Sequence, residues 1–469
     1  MKLRHTFPKP VWLLLLCLAM ILAAASPYRG QSKAPSTDGL AEKIDKILSS
    51  PYKPDIPGAA VIVVKNGQTI FRKGYGIANL ELNIPIKPEM VFRIASLTKQ
   101  FTAAAIMMLA EQGKLAVSDE ITKFIPTYPT RGKKITIENL LTHTSGIKDY
   151  IETLWPQRMR EDLTVEQLIN VFKDVPLNFE PGARLAYSNA NYVLLGAIIE
   201  KVSGKRYAEF IEEDIFKPLG MKHSYYEINQ LIVPNRVSGY AQTKEGYVSA
   251  PFISMSQLRA AGALMSSVDD LAIWDEAFYS EKLLKRASIE RIFTSYKLAS
   301  GESVNYGYGW EVWQFEGRTV ASHGGGINGF SAYVLRIPQD HIYIAILSND
   351  RTAEVQPEYL AKKVAAVVLG RAEAEPEIIK LAPQVLDRYV GRYEFAVDVD
   401  YTLTITRQGE RLFAQGTNDP QFELFPISET TFLARAIEAQ FTFVKNEQGK
   451  VIALIARHGD KEDRARKVQ

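Results

Sequence analysis

Residues 94–113 read Ile-Ala-Ser-Leu-Thr-Lys-Gln-Phe-Thr-Ala-Ala-Ala-Ile-Met-Met-Leu-Ala-Glu-Gln-Gly, and the reading of the whole chain turns on this stretch. A helix is expected from Ile94 to Gln112, with Gly113 as its stop. Phe101, Ala103, Ala104, Ala105, Ile106, Met107, Met108 and Leu109 leave it no polar face, so it should be buried on every side. Ser96 and Lys99 lie three apart, on one face near the start. A hydroxyl there sits where helix-end amides and the helix dipole favour developing negative charge. A lysine in so apolar a helix is costly unless it has partners. The plain alternative is an N-cap serine followed by a solvent-facing lysine. Ser50-Pro51-Tyr52-Lys53 and Ser145-Gly146-Ile147-Lys148 share the spacing. Pro51 and Pro54 disfavour a helix at the first, and Gly146 reads as a turn at the second.

Two further stretches carry chemistry. Tyr187-Ser188-Asn189 is the one Tyr-x-Asn among 22 tyrosines. Tyr187 could act as a general base or acid, provided that nearby cations such as Lys99 lower its ordinary pKa of about 10. Asn189 could orient a substrate amide or carbonyl; otherwise the segment is a turn holding a core tyrosine. Ser322-His323-Gly324-Gly325-Gly326 leads into a strand at Phe330–Ile337. Its glycines either let another backbone or a ligand come close or form a simple turn between strands. Gly324 to Gly329 also matches a dinucleotide fingerprint, but a strand follows it and no βαβ unit surrounds it. No His-Glu-x-x-His or Gly-x-Ser-x-Gly occurs, which removes the signatures of zinc proteases and α/β-hydrolases. His143, His223, His341 and His458 lack metal-ligand spacing, and His143 reads as structural.

Outward from these motifs, the chain organises itself. A short helix is expected at Leu40–Leu48. Ala59–Val64 and Thr69–Lys73 flank Asn66-Gly67, a strong hairpin signal. Strands return at Gly309–Phe315, Thr319–Ser322, Phe330–Ile337 and Ile342–Leu347, and a helix at Pro357–Leu369 closes the unit. Strands at both ends of a helical middle imply one sheet assembled from the two ends. Residues 371–383 are rich in Ala, Glu and Pro and read as a linker. Beyond them, alternation such as Tyr401, Leu403 and Ile405 against Thr402, Thr404 and Thr406 indicates a small closed antiparallel barrel over 384–469, its interior filled by side chains.

At 469 residues, 46% hydrophobic and 23% charged, the chain has material for two or three domains and a sizeable core. A net charge of +3 points to no nucleic-acid partner and no acidic substrate, and Arg131-Gly132-Lys133-Lys134 reads as solvated surface. Lys2, Arg4 and Lys9 precede an apolar run, Val11–Ala25, that ends in small residues. That is the pattern of a signal peptide over 1–25, followed by a polar spacer over 26–39. The expectation is an exported protein, periplasmic or secreted, with no membrane span after cleavage. The single cysteine, Cys17, lies inside the apolar run, so the mature chain would have neither disulfides nor thiol chemistry.

In this order, the three motifs resemble the Ser-x-x-Lys, Tyr-x-Asn and Lys-Thr-Gly elements of the serine β-lactamase and DD-peptidase superfamily. The tyrosine form of the second is similar to class C β-lactamases and the related esterases and D-amino-acid peptidases. Leu140-Leu141-Thr142-His143-Thr144-Ser145-Gly146, Pro218-Leu219-Gly220-Met221, Ala261-Gly262-Ala263-Leu264-Met265-Ser266-Ser267 and Tyr306-Gly307-Tyr308-Gly309-Trp310 also resemble the family, over about residues 40–370. The part opening with Tyr389-Val390-Gly391-Arg392-Tyr393 is similar to lipocalin-like accessory domains. The resemblance implies an α+β fold: a mainly antiparallel sheet flanked by helices, with a helical region beside it. It further implies a serine hydrolase that forms an acyl-enzyme on Ser96, with Lys99 or Tyr187 taking the proton. Asn189, His323 and Gly325 would bind substrate, and the backbone amides of Ser96 and Gly326 would form the oxyanion hole. No cofactor or metal is implied; the partner would be a small-molecule or peptide substrate, with a homo-oligomer possible. His323 stands where the family has lysine, and an ordinary histidine is mostly neutral at pH 7. Weak β-lactamase activity at most, a preference for esters, amides or D-amino-acid peptides, and a charge change at His323 between about pH 5 and 8 are therefore expected. The competing reading is a non-catalytic binding or sensor protein on the same fold.

Overall fold

The computed structural model describes residues 37–469 except 155–156, 316, 354, 372–375, 377, 396–401, 418–420, 438, 459–460 and 469. The expected signal peptide, and the spacer up to residue 36, lie outside the described residues. Helix Thr37–Ser49 begins inside the expected spacer. No helix among the described residues is long and apolar enough to cross a membrane.

The central sheet has six antiparallel strands. In spatial order they are Glu311–Phe315, Arg318–Ile327, Phe330–Ile337, Ile342–Ser348, Ala59–Lys65 and Gln68–Tyr75. The first strand of the chain lies beside the last of the six, with Ala59 opposite Ser348 and Lys65 opposite Ile342, so the two ends do build one sheet. Asn66 and Gly67 take φ of 52° and 70°, the pair of positive values that a tight hairpin turn demands.

Strands Ala59–Lys65 and Ile342–Ser348 read as nearly continuous apolar runs because both faces of the sheet are covered. Ala59, Val61 and Val63 pack with Ile44, Leu48, Leu360 and Val364 from helices Thr37–Ser49 and Pro357–Val368. Ala60, Ile62 and Val64 point the other way, into a larger core with Phe101, Ile106 and Trp274. Alternate residues thus serve two cores, and neither face faces water. The helix that opened the sequence reading, observed as Thr98–Glu111, runs through the larger core with Thr98 to Met107 all buried.

Three expectations need adjustment. Ser96 is not in the α-helix itself; it sits in a single 3-10 turn, Ala95–Leu97, and Ala95 before it takes φ of 46°. The strand expected at Thr319–Ser322 runs on from Arg318 to Ile327, so the glycines are strand, not turn. Their poor strand propensity is overridden by pairing with Phe330–Ile337, in which Gly325 faces Ala332. The strand expected from Gly309 starts at Glu311, because Gly309 takes φ of 73° where its backbone passes close to that of Lys99.

The C-terminal part is a closed barrel of eight antiparallel strands, from Gly391–Phe395 to Lys461–Lys467. Its interior is packed: Tyr393, Leu403, Ile405, Phe432, Phe441, Phe443 and Leu454 are buried together.

Candidate active site

Ser96, Lys99, Tyr187, Asn189 and Gly326 come from three separate segments and meet at one cleft. Ser96 projects from the 3-10 turn at the head of helix Thr98–Glu111. Lys99 follows one turn later and is fully buried. Its Nζ lies 3.0 Å from Ser96 Oγ, 2.9 Å from Asn189 Oδ1 and 2.8 Å from the carbonyl of Ala261. The amide and carbonyl oxygens can only accept. Two N–H bonds of Lys99 are therefore committed, and the third position faces the serine hydroxyl, which can accept from an ammonium or donate to a neutral amine. Burial pulls Lys99 down to about 7, opposed by the charge of Asp149. Near neutral pH both forms are present, which suits a group that takes and returns a proton.

Tyr187 leads into helix Asn189–Ser203. Its ring lies over Lys99, with Nζ 4.8 Å from the centroid. The expected lowering of its pKa is not found. Burial pushes the phenol up, with the Ser96 hydroxyl working the other way. The residue is 41% exposed, and water there tempers the push without reversing it. Tyr187 is therefore a phenol at neutral pH, held so by burial and by the nearby carboxylates of Asp149 and Glu311.

Asn189 is held by Asp149, a residue that sequence reasoning missed. Asp149 Oδ2 accepts from Asn189 Nδ2 at 2.9 Å, and Oδ1 accepts from the Asn189 backbone N–H at 3.3 Å. A carboxylate thus caps the helix where its dipole favours negative charge. Burial raises the Asp149 pKa, against the hydrogen bond from Asn189 and the charge of Lys99. Asp149 belongs to no motif, so only contact could reveal it. The Ala261 carbonyl was equally hidden, since a backbone oxygen has no signature; only its segment resembled the family.

His323 does not line the cleft. It is buried; Nδ1 lies 2.6 Å from the carbonyl of Gly324 and Nε2 lies 2.9 Å from the Tyr306 hydroxyl. The carbonyl requires the proton on Nδ1, which leaves Nε2 to accept from Tyr306. Burial first, and the charge of Lys99 second, pull its pKa down to about 3. The charge change expected between about pH 5 and 8 is therefore corrected: His323 stays neutral throughout. Gly325 has no room for a side chain, since a Cβ there would lie 2.4 Å from the carbonyl of Ile94. It is the spacing element that lets the strand pass beside the serine turn. Gly326, Ser96, Asn189, Ile151, Leu258 and Ala261 line a cavity of about 120 Å³.

The other Ser-x-x-Lys matches form no such centre. Ser145 is buried and donates to Asn191 Oδ1 at 2.7 Å, while Lys148 is exposed. Ser50 and Lys53 are both exposed. His143 is buried against Tyr187. No group of three potential metal ligands occurs among the described residues.

Comparison with known proteins adds to this picture. The Beta-lactamase family model matches residues 40–369, and a domain of unknown function, DUF3471, matches residues 375–466. Penicillin-binding protein 4* of Bacillus subtilis is 30% identical over 434 residues, covering 87% of this chain and 94% of that protein. Among solved structures, the octameric penicillin-binding protein homologue from Pyrococcus abyssi aligns with a TM-score of 0.66 at 29% identity, covering 92% of this chain and all of the other. D-amino acid amidase from Ochrobactrum anthropi SV3 shares the fold, with a TM-score of 0.60 at 22% identity over 71% of this chain and 96% of its own.

Proposed function

The chain belongs to the β-lactamase family, and from that footing we propose that it is an exported serine hydrolase working through an acyl-enzyme on Ser96. The observation that carries this reading is the three-way coordination of Lys99. Two fixed acceptors orient the amine so that its remaining position addresses the nucleophile at 3.0 Å. In the neutral form Lys99 accepts the serine proton as Oγ attacks a substrate carbonyl. The backbone amides of Ser96 and Gly326 stabilise the oxyanion, each such donor being worth about 3 kcal/mol. Tyr187, as a phenol, donates to the leaving group and is reprotonated by the Lys99 ammonium, so the amine is neutral again when that group departs. Water then attacks the acyl ester, Lys99 accepting its proton and returning it to Ser96 Oγ as the acid product leaves.

The substrate class follows from what lacks charge. The third motif supplies no cation, because His323 is neutral and turned to Tyr306 and Gly324. Esters, amides and D-amino-acid peptides therefore suit the site better than cephalosporins. The test is a panel of aryl esters, D-Ala-D-Ala peptides, D-aminoacyl amides and a chromogenic cephalosporin, run with wild type and Ser96→Ala. Turnover of at least one ester or amide, abolished by the substitution, is expected. Hydrolysis of none by the folded wild type would favour a non-catalytic binding role, and retention by Ser96→Ala would place the chemistry elsewhere.

A further inference from the structure

The loop after the short helix Ile137–Leu141 turns sharply at His143, which takes φ of 55° and is fully buried. Its backbone carbonyl accepts from the N–H of Ala186 at 2.9 Å. Its Nδ1 accepts from the N–H of Ser188 at 3.1 Å and faces Asn191 Nδ2 at 3.2 Å. One residue thus grips the backbone N–H of both residues that flank Tyr187. Its ring also backs the Tyr187 ring, with centroids 4.3 Å apart and planes 33° apart. The neighbouring residues strengthen the same seam: the Gly182 N–H donates to the Thr144 carbonyl at 2.7 Å, and the Asn178 N–H to the Gly146 carbonyl at 2.8 Å. Ser145 ties Asn191 into the seam through its hydroxyl.

The tautomer follows from these contacts. A backbone N–H can only donate, so Nδ1 is unprotonated and the proton of the neutral ring sits on Nε2. That nitrogen is buried with no partner among the described residues, enclosed by the rings of Tyr187, Tyr192 and Tyr306. An orphaned N–H costs free energy that any apolar side chain would avoid. A purely space-filling role does not explain that cost; an acceptor needed at Nδ1, combined with a flat ring, does.

We propose that His143 is the positioning residue for Tyr187, fixing the phenol over Lys99 and Ser96 by holding the backbone N–H of both neighbouring residues, Ala186 and Ser188, and backing its ring. This rests on the reading of Tyr187 as part of the acyl-transfer machinery. Small misplacements of a reacting group cost rate heavily while leaving substrate affinity largely unchanged.

The test is a double-mutant cycle read in kcat and KM for an aryl ester, using His143→Phe, Tyr187→Phe and the double variant, each checked for folding by thermal melt. His143→Phe keeps a ring and loses the acceptor. It is expected to lower kcat about tenfold to a hundredfold with little change in KM, and to have no further effect once Tyr187 is Phe. His143→Asn keeps an acceptor near the Nδ1 position and tolerates positive φ; it should retain more of kcat than His143→Phe. If His143→Phe does not fold, His143→Asn takes its place in the cycle, where a loss confined to the Tyr187 background is the expected result. An equal loss with and without the Tyr187 hydroxyl, or no loss in a folded variant, overturns the proposal. Full activity of Tyr187→Phe overturns the underlying role of Tyr187, and the proposal falls with it; that outcome is separately visible in the single variant.

Discussion

Replacing Asp149 by Asn removes the one charge that holds Lys99 up. Asn189 bridges the two groups, with 2.9 Å on each side. An amide O and N are about 2.2 Å apart, so the ammonium and carboxylate lie roughly 7 Å from each other. At an effective dielectric of about 20 their attraction is about 2.4 kcal/mol, equivalent to about 1.7 pH units. The sign is set by which form works. Lys99 must be neutral to accept the serine proton, so kcat/KM rises as pH climbs through its pKa of about 7. Without the carboxylate the ammonium is less stable, the pKa falls, and the acid limb moves to lower pH. The plateau drops as well, because the new amide presents N–H to Asn189 Nδ2 where an oxygen accepted before, at a cost of about 1–3 kcal/mol. The assay is kcat/KM for an aryl ester from pH 5 to 9, for wild type and Asp149→Asn. The position of the limb reports the charge, and the height of the plateau reports the hydrogen bond. A limb that stays in place or moves to higher pH would show that Lys99 does not own it, and the coupling described above would be wrong.

Other perturbations bear on different parts of the account. Because burial holds His323 at about 3, His323→Gln should leave the acid limb near pH 7 unmoved; a limb lost or displaced in that variant would restore a titrating role for His323. Gly325→Ala forces a methyl to within 2.4 Å of a backbone carbonyl, whereas Gly326→Ala meets the flexible end of Arg351 at 2.8 Å. The first should lose activity and about 1–3 kcal/mol of stability, and the second much less stability, as measured by urea unfolding; equal losses would refute the distinction. Arg336 pairs with Asp275 at 2.6 Å, with both side chains almost wholly buried. Arg336→Met leaves that carboxylate stranded and should cost about 3–5 kcal/mol, and an unchanged melting temperature would contradict it.

The sheet was legible because its signals are local. Asn66-Gly67 fixes a hairpin by the φ that two residues tolerate, and Ile342–Leu347 is apolar throughout because both its faces are covered. The glycine strand was only half legible. Strand propensity stops at Ser322, whereas the observed strand runs to Ile327 through pairing that propensity does not contain. In the site, Ser96, Lys99, Tyr187 and Asn189 were readable from spacing, since short motifs place them on turns and helix starts. Asp149 and the Ala261 carbonyl were not, because they act through contacts made only after folding: the Asn189–Asp149 bond spans 40 positions, the Lys99–Asn189 bond 90 and the Lys99–Ala261 bond 162. The pKa directions at Tyr187 and His323 went against expectation for one reason. Burial disfavours the charged form of each, raising the Tyr187 phenol and lowering the His323 imidazole, where the charge of Lys99 adds to the lowering.

The most direct measurement is the intact mass of the protein after brief exposure to an activated ester at pH 8, followed by peptide mapping. The account predicts a single acyl group on the peptide that contains Ser96, absent from Ser96→Ala and formed much more slowly by Lys99→Met. An adduct that survives in Ser96→Ala, or a wild-type mass that never changes although ester is consumed, would contradict it.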